Sequence, residues 1–504
     1  MSEILFGQSY YLRFDPKLWE AMQPYPPLGT MLAASYLRQR GHDVALFDAM
    51  LAESEEEWGA ALEAEQPRYA VIYEDNFNYL SKMCLSRMRQ AAFTMIAMAK
   101  ARGCTVIVCG SDASDQAAIY LDKGADYVLI GEGEYTLSEL MEQLSGRSES
   151  QLDSILGLAY RTGLEAAINP RRPDIKDLDA LPFPAWDLID VERYRRIWLD
   201  RHGYFSMNIA TTRGCPFHCN WCAKPIWGQR YNARSPQNVA AEMKWLKEAY
   251  APDHLWFADD ILGLKPGWLE QFASAVESQD AKIPFKCLNR ADLLLKPGEI
   301  EALKRAGCQI AWIGAESGSQ KILDAMEKGT KIAQIREAAQ CLQQAGIKVG
   351  FFLQFGYPGE TMEDIELTLQ LVRECLPDDI GMSVSYPLPG TKFHAAVEDQ
   401  LGHKQHWVDS GDLDMMYNGP YGTQFYRQLH VVLHKEFRAR KTSRQLTCGG
   451  KMSLRRLLAL PHQAATLPFA RWKLKQLARL PHRGIQPLAP LLDPEAAARP
   501  TPQG

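Results

Sequence analysis

The stretch Thr211-Thr-Arg-Gly-Cys215-Pro-Phe-His-Cys219-Asn-Trp-Cys222 decides how this chain is read. Three cysteines stand at C-x3-C-x2-C spacing, directly after the β-rich run Ser206-Met-Asn-Ile-Ala-Thr-Thr212. Three thiolates can hold three irons of a [4Fe–4S] cluster, which leaves the fourth iron open to a small molecule. A structural zinc site is the other reading. Zinc takes four ligands, commonly as two short pairs. The only extra ligand here is His218, wedged between two of the cysteines, and no second C-x2-C pair follows.

Downstream of the triplet, residues 205–390 alternate strand and helix patterns six times. Strands are expected at 206–212, 254–258, 285–289, 309–314, 347–355 and 380–386. Six parallel β/α units form most of a barrel, whose chemistry sits on the loops at the strands' C-terminal ends. The triplet falls on the first of those loops. The next strands deliver polar groups to the same rim: Asp259 and Asp260, then Arg290, then Glu316 and Ser317, then Gln354. A zwitterionic nucleoside would need such a set. A carboxylate holds its ammonium and an arginine its carboxylate. A Glu or Ser reaches ribose hydroxyls, and glycine-rich backbone lies against the adenine.

Upstream, residues 3–145 read as short buried strands alternating with helices, which implies a parallel, doubly wound α/β sheet of Rossmann type. Ligands of such sheets sit beyond the strands' carboxyl ends. Three loops end strands there: Glu74 to Tyr79 with Asp75 and Asn76, Gly110 to Ser114 with Ser111, and Gly131 to Tyr135 with Glu132 and Gly133. Glycines at 110, 131 and 133 would let backbone approach a large flat ligand, although glycine in a turn needs no ligand. The expected division is 1–145 for this unit, 146–200 for a connector and 201–395 for the barrel. A helical region follows over 396–485, with an aromatic cluster at Trp407, Tyr417, Tyr421, Phe425 and Tyr426. The Pro/Ala-rich end, 486–504, reads as disordered.

At these residues the sequence resembles the radical S-adenosylmethionine (SAM) enzymes, and within them the cobalamin-binding subgroup. The match is carried by Cys215, Cys219 and Cys222, with Trp221 at the aromatic position before the last cysteine. Phe257-Ala-Asp-Asp260, Gly314-Ala-Glu-Ser-Gly-Ser319, Gly356-Tyr-Pro-Gly-Glu-Thr361 and Pro389-Gly-Thr391 match later family motifs. Pro26-Pro-Leu-Gly29, Arg40-Gly-His-Asp-Val44, Gly124-Ala-Asp-Tyr-Val128 and Gly131-Glu-Gly-Glu134 match the subgroup's first domain. The resemblance implies that SAM chelates the unique iron and is cleaved by one electron to methionine and a 5′-deoxyadenosyl radical. It further implies that cobalamin supplies a methyl group to an unactivated carbon, with a flavodoxin or ferredoxin as electron donor. Oxidation, cyclisation or rearrangement of a tetrapyrrole or lipid with the same cofactors remains open, as does a member that has lost cobalamin. One departure bears on this. The cobalt-ligating D-x-H-x-x-G motif is absent, and residues 1–145 hold a single histidine, His42. No histidine ligand to cobalt is expected, and the lower corrin face would meet the loop at 74–79 or at 110–114.

With 46% hydrophobic and 23% charged residues the chain has globular composition. A net charge of −5 makes the whole chain no polyanion binder. Thirteen Lys/Arg against one Glu between Lys435 and Arg483 give the tail +12, which leaves −17 for the rest. In this tail, Phe469-Ala-Arg-Trp-Lys-Leu-Lys-Gln-Leu-Ala-Arg-Leu480 mixes basic and apolar residues. That pattern suits a helix lying on a membrane surface, or one packed on the barrel with its charges solvated. No nucleic-acid motif accompanies the charge, so no nucleic acid is expected. Eleven cysteines without a pairing pattern suit a reducing cytoplasm. No run reaches the ~18 apolar residues of a membrane span, and the start lacks the pattern of a secretory signal. A cytoplasmic enzyme is expected, in peripheral contact with the inner membrane surface through the tail and acting on a small-molecule or lipid-like substrate.

Overall fold

A computed structural model describes residues 2–79, 85–224, 226–402, 413–447 and 454–480. The first sheet holds β1 (Ile4–Gly7), β2 (Val44–Leu46), β3 (Tyr69–Tyr73), β4 (Thr105–Cys109), β5 (Tyr127–Leu129), β6 (Leu158–Thr162) and β7 (Glu165–Ile168). Their order is β2-β1-β3-β4-β5-β6-β7. The first five pair in parallel, and the β6–β7 hairpin adds to the β5 edge antiparallel. Order 2-1-3-4-5 is a doubly wound arrangement whose ligand crevice opens at the carboxyl ends of β1 and β3.

Strand alternation explains the two covered faces. Leu5, Ala70, Ile72, Val106 and Val108 join one core with the helix Ser86–Ala101. Ile4, Phe6, Val71, Ile107 and Leu129 join another with the helices Leu28–Arg38 and Glu134–Leu144. Successive side chains point to opposite faces, so a run such as Val106-Ile-Val108 must be apolar throughout. After β4 the chain forms two short helices, Ser111–Asp115 and Ala117–Asp122, which meet at Gln116 with φ −127°. The stretch expected as a connector contributes the β6–β7 hairpin, which extends the first sheet.

The second sheet contains β8 (Ser206–Ile209), β11 (His254–Phe257), β12 (Phe285–Asn289), β13 (Cys308–Glu316), β14 (Lys348–Phe355) and β15 (Asp379–Val384), all parallel and in chain order. A small antiparallel ribbon pairs β9 (Thr212–Arg213) with β10 (Asn232–Ala233) around the cysteine loop. Among the described residues β8 and β15 do not pair, so the sheet is a half-barrel. Its helices start on side-chain caps. Ser235 accepts from Asn238 N with Pro236 at the first helical position, and Thr361 accepts from Asp364 N.

One apolar core runs through the seam between the two sheets. It joins Tyr10, Met31, Phe77 and Met88 to Met207, Trp227 and the barrel helices. Past β15, the helices Thr423–Thr447 and Leu454–Ala478 pack antiparallel, with Gln428 Nε2 donating to Ala470 O and Lys435 Nζ to Thr466 Oγ1. Glu436, buried between them, binds Arg373 at 2.6 Å and Arg471 at 2.6 Å, which fastens the pair to the helix Met362–Cys375. Of the expected aromatic cluster, Tyr417, Phe425 and Tyr426 are buried, whereas Trp407 lies outside the described residues, as does 481–504.

Candidate functional site

The cysteine loop leaves β8 at the carboxyl end of the half-barrel and is held there on both sides. At its start, Asp259 accepts from Thr211 N and Oγ1 at 2.7 Å each, and from Thr212 N and Oγ1 at 2.7 and 3.0 Å. At its end, Asn220 stands between Cys219 and Cys222 with its polar groups engaged. Its Nδ2 donates to Ala325 O at 2.8 Å and its N to Met326 O at 3.1 Å. Its Oδ1 accepts from Tyr357 OH at 2.9 Å and its O from Phe393 N at 3.0 Å. The two anchors draw on β11 and on three segments later in the chain, so the loop is positioned by the whole rim. Sequence reading missed Asn220. Its position inside the triplet was the available signal, but its partners lie 105 or more residues away.

Cys219 is buried and Cys215 and Cys222 are half-buried, and all three are free thiols. Burial raises the pKa of Cys215, and it pushes Cys222 up to about 12, with Asp260 and Cys219 adding to the rise. Lys224 opposes both shifts. Three thiolates on one loop can each take a different iron of a single cluster. The residues present fit a cluster held by Cys215, Cys219 and Cys222, with cationic Lys224 beside them to favour thiolates.

Several rim residues are held by protein partners. Asp260 is exposed and close enough to Cys215 and Cys222 to raise both, whereas its neighbour Asp259 is committed to the loop. Arg290 pairs with Asp292 at 3.0 Å and lays its guanidinium over Phe217 of the cysteine loop at 3.6 Å. It therefore braces the loop before it can meet any ligand. Glu316 lies at a register shift in β13 with φ +56°, a left-handed conformation that costs a non-glycine residue energy and recurs at functional sites. It binds Lys328 Nζ at 2.7 Å, both side chains being buried. A Cβ on Gly314 would stand 2.6 Å from that Nζ, so the glycine makes room for the pair. Cys219 is among the groups that raise the Lys328 pKa, so the ammonium borders the cluster loop. Sequence reading missed Lys328. Ser317 shares a hydrogen with Thr368 at 3.2 Å and accepts from Ser319 N, while Gln354 donates to Ser385 at 2.9 Å. Trp221 Nε1 is buried without a partner.

The first sheet faces this rim through the loop after β3. Asp75 accepts from Gly29 N at 3.0 Å and Phe77 N at 3.1 Å. Pro26 O accepts from Asn208 Nδ2 of β8 at 2.8 Å, which ties the start of the helix Leu28–Arg38 to the barrel. Asn76 Oδ1 is buried with no partner. Tyr79 is 54% exposed, yet burial raises its pKa and Cys222, Tyr386, Glu316 and Asp260 add to the rise. A ring open to solvent and hemmed by such groups stands in the wall of an internal cleft. The expected open cradle of glycines is not there. A Cβ on Gly110 would meet Glu74 at 2.8 Å, one on Gly133 would meet Cys109 at 2.6 Å, and one on Gly131 would meet Arg171 at 3.3 Å. These glycines admit protein side chains. Glu132 is engaged as well, since Arg213 donates to it at 2.9 Å and to Glu134 at 2.6 Å. Ser111 is buried at the start of the short helix after β4. His42 precedes β2, on the sheet edge away from the cleft, with Nδ1 3.2 Å from Glu3. The donors at the cleft edge, Asn76 above all, fit a large ligand presented from the barrel side, and none is a histidine.

A parallel half-barrel with three free cysteines on its first βα loop thus packs against a doubly wound sheet. Residues 209–372 match the Radical SAM superfamily, so the chain carries a radical SAM domain and the resemblance drawn from the triplet is borne out. The chain is 28% identical over 315 residues to an uncharacterized methyltransferase of Pyrococcus horikoshii, covering 62% of this chain and 66% of that one. It is 27% identical over 382 residues to the hopanoid C-3 methylase of Methylococcus capsulatus, covering 74% and 69%. It thus spans about two thirds of the length of these relatives. The fold is that of the cobalamin-dependent SAM radical enzyme OxsB, solved with aqua-cobalamin and SAM. The TM-score is 0.68 at 18% identity, over 94% of this chain and 72% of that one.

Proposed function

We propose that this chain is a cobalamin-dependent radical SAM methyltransferase acting on an unactivated carbon. The observation that carries the reading is the packing of the first sheet's ligand loop on the segment that follows the cysteine triplet, where the Phe77 and Trp227 ring centroids lie 5.1 Å apart. Two cofactor edges thereby face one cleft. When bound, the cluster supplies the electron that cleaves SAM, and cobalamin supplies the methyl group. The chain's own part is to bind, orient and exclude water. Cys215, Cys219 and Cys222 hold the cluster. Asp260 stands where it can take the SAM ammonium, and Lys328, buried beside Glu316, is a cation for its carboxylate. Glu316, Ser317 and Gln354 line the same rim for the nucleoside. Asp75, Asn76 and Ser111 stand at the cobalamin edge. The two relatives named methyltransferase and methylase support methylation over the other reactions open to these cofactors.

The tail supports a second element of this reading, a peripheral contact with an anionic membrane. Phe469 and Trp472 stack at 5.7 Å and are 66% and 56% exposed, on a helix with no acidic residue. Arg471, Lys473 and Lys475 flank them, all exposed. No helix among the described residues is long and apolar enough to cross a membrane.

Anaerobic purification with hydroxocobalamin tests the cofactors. A corrin spectrum, about four irons per chain, and 5′-deoxyadenosine released from SAM under dithionite are expected. Absence of corrin absorbance rejects cobalamin, and Cys219→Ala retaining SAM cleavage rejects the cluster assignment. A product gaining one methylene separates methylation from oxidation or cyclisation.

A further inference from the structure

The concave face of the half-barrel is lined but not filled. Alternation along the strands buries Phe285, Cys287, Ala311 and Ile313 in the core shared with the helices. The alternate residues Lys286, Leu288, Ile310, Trp312, Phe352 and Ser383 are half-buried or exposed. In a closed barrel such positions are packed in layers of side chains. Trp312 and Phe352 stack on each other with centroids 4.6 Å apart, and Gly350 and Gly381 leave them room.

One row across this face is polar at both ends. Trp256 pairs with Asn208 on one side and with Lys286 on the other. Lys286 Nζ lies 3.8 Å from the Trp256 ring centroid and 5.2 Å from that of Tyr25. Ring faces attract an ammonium, but they do not replace the oxygen acceptors that its three N–H groups had in water. Among the described residues none accepts a hydrogen bond from it. Burial lowers its pKa to about 7, and Asp379 pulls the other way. That carboxylate accepts from Ile380 N at 2.9 Å. His254, kept neutral by burial and by the charge on Lys286, shares a hydrogen with Ser206 Oγ at 3.0 Å, which in turn lies 3.0 Å from Tyr25 OH. At the other end of the row Asn208 is 3% exposed. Its Nδ2 is spent on Pro26 O, and its Oδ1 is buried without a partner. An ammonium lacking an acceptor and an amide oxygen lacking a donor thus flank one tryptophan.

We propose that Lys286 anchors an oxyanion of the substrate, a carboxylate or a phosphate ester, whose apolar body runs past Leu288 and Trp312 toward the rim. The inference rests on the proposed radical chemistry for what happens at the rim and adds the end group that holds the substrate there. An oxyanion supplies the acceptors that the ammonium lacks, and such charge-assisted bonds are the strong ones. They gain further where water is scarce. A hydroxyl or amine on the same end of the molecule meets Asn208 Oδ1. From Lys286 to the carboxyl end of β12 at Asn289 is three residues, or about 10 Å of strand. The oxyanion therefore sits about 10 Å from the carbon presented at the rim.

The test titrates the full-length, cluster-loaded protein by calorimetry with three straight-chain probes of equal length, decanoate, decyl phosphate and decan-1-ol, each below its micelle concentration. At least one anion should bind tenfold or more tightly than the alcohol, and the tighter anion identifies the oxyanion. Lys286→Met should abolish the preference, and Lys286→Arg should keep it within threefold. Reductive methylation of the wild type with formaldehyde and cyanoborohydride, mapped by peptide mass, covers the case in which Lys286→Met fails to fold. The tighter anion should slow modification of Lys286 at least fivefold relative to the alcohol. No preference for either anion in the wild type overturns the inference. So does a preference that survives in Lys286→Met, or a methylation rate that neither anion changes. Formation of 5′-deoxyadenosine from SAM by the same preparation separates the two claims. SAM cleavage without anion preference removes the anchor and leaves the radical SAM reading, whereas no cleavage removes the reading on which the inference rests.

Discussion

Tyr357 donates its hydroxyl to Asn220 Oδ1 at 2.9 Å across 137 residues of chain. The bond joins the loop after β14 to the segment between the second and third cysteines. Tyr357 also reaches Ala325 O at 3.0 Å, the carbonyl to which Asn220 Nδ2 donates. The cysteine loop is thus held by the far side of the half-barrel as well as by its own strand.

Asn220→Ala removes the side-chain bonds to Ala325 O and Tyr357 OH, which keep only their bond to each other. Each lost hydrogen bond contributes about 0.5–1.5 kcal/mol. The variant should unfold at lower urea and carry less iron after reconstitution. Wild-type iron content together with wild-type stability would show that the loop does not depend on this residue.

Arg213→Met leaves Glu132 and Glu134 buried without their cation. Breaking a buried pair in this way costs about 3–5 kcal/mol. In the wild type burial already raises the Glu132 pKa, against the pull of Arg213. Without the guanidinium the Glu132 carboxyl should rise further. A carboxyl raised in the folded state binds protons that the unfolded chain releases, so it favours folding at low pH. The variant should therefore regain stability as pH falls and lose it as pH rises. Parallel pH profiles of denaturant midpoint for variant and wild type would contradict this.

Glu360 is buried, accepts only from Gly356 N at 2.7 Å, and has Oε1 without a partner. Burial raises its pKa from 4.5 to about 8. Its contribution to stability is complete below pH 4.5 and is lost as pH climbs through about 8. Glu360→Gln keeps the shape without the charge. It should be more stable than the wild type at pH 9 and nearly equal to it at pH 5, measured by urea unfolding. A constant difference between the two pH values would exclude an ionising Glu360.

Replacing Phe469 and Trp472 together by serine changes two exposed rings and no buried contact of the helix pair. Flotation with vesicles containing anionic lipid should fall at least fivefold, while the melting temperature stays within a degree or two because exposed substitutions cost little. Equal flotation of variant and wild type would place the membrane contact elsewhere or nowhere.

Much of the fold was legible because its signals are local. The six barrel strands fall within a few residues of those expected, and the first sheet alternates buried strands with helices as expected. The site was legible in part. The triplet, Asp260 and Glu316 come together at one rim. The roles of Asp259, Arg290 and Glu132 were not legible, because a carboxylate or guanidinium has the same appearance in sequence whether it meets a ligand or a backbone N–H. Thr211, Phe217 and Arg213 became their partners only through folding. The glycines at 110, 131 and 133 misled for a related reason. Missing Cβ atoms signal a close approach, but not of what.

By itself the sequence determined the cysteine spacing, the alternation of buried strands with helices, and hence two parallel sheets with a cluster loop on the second. Those follow from side-chain periodicity and thiolate chemistry, which neighbouring residues suffice to express. Only the tertiary structure decided that Asn220 and Tyr357 lock the loop, that Lys328 pairs with Glu316, and that Trp312 and Phe352 stack on each other above Gly350 and Gly381. Each of these joins residues from different strands or loops. Which groups meet there depends on strand register and on how one sheet closes over the other.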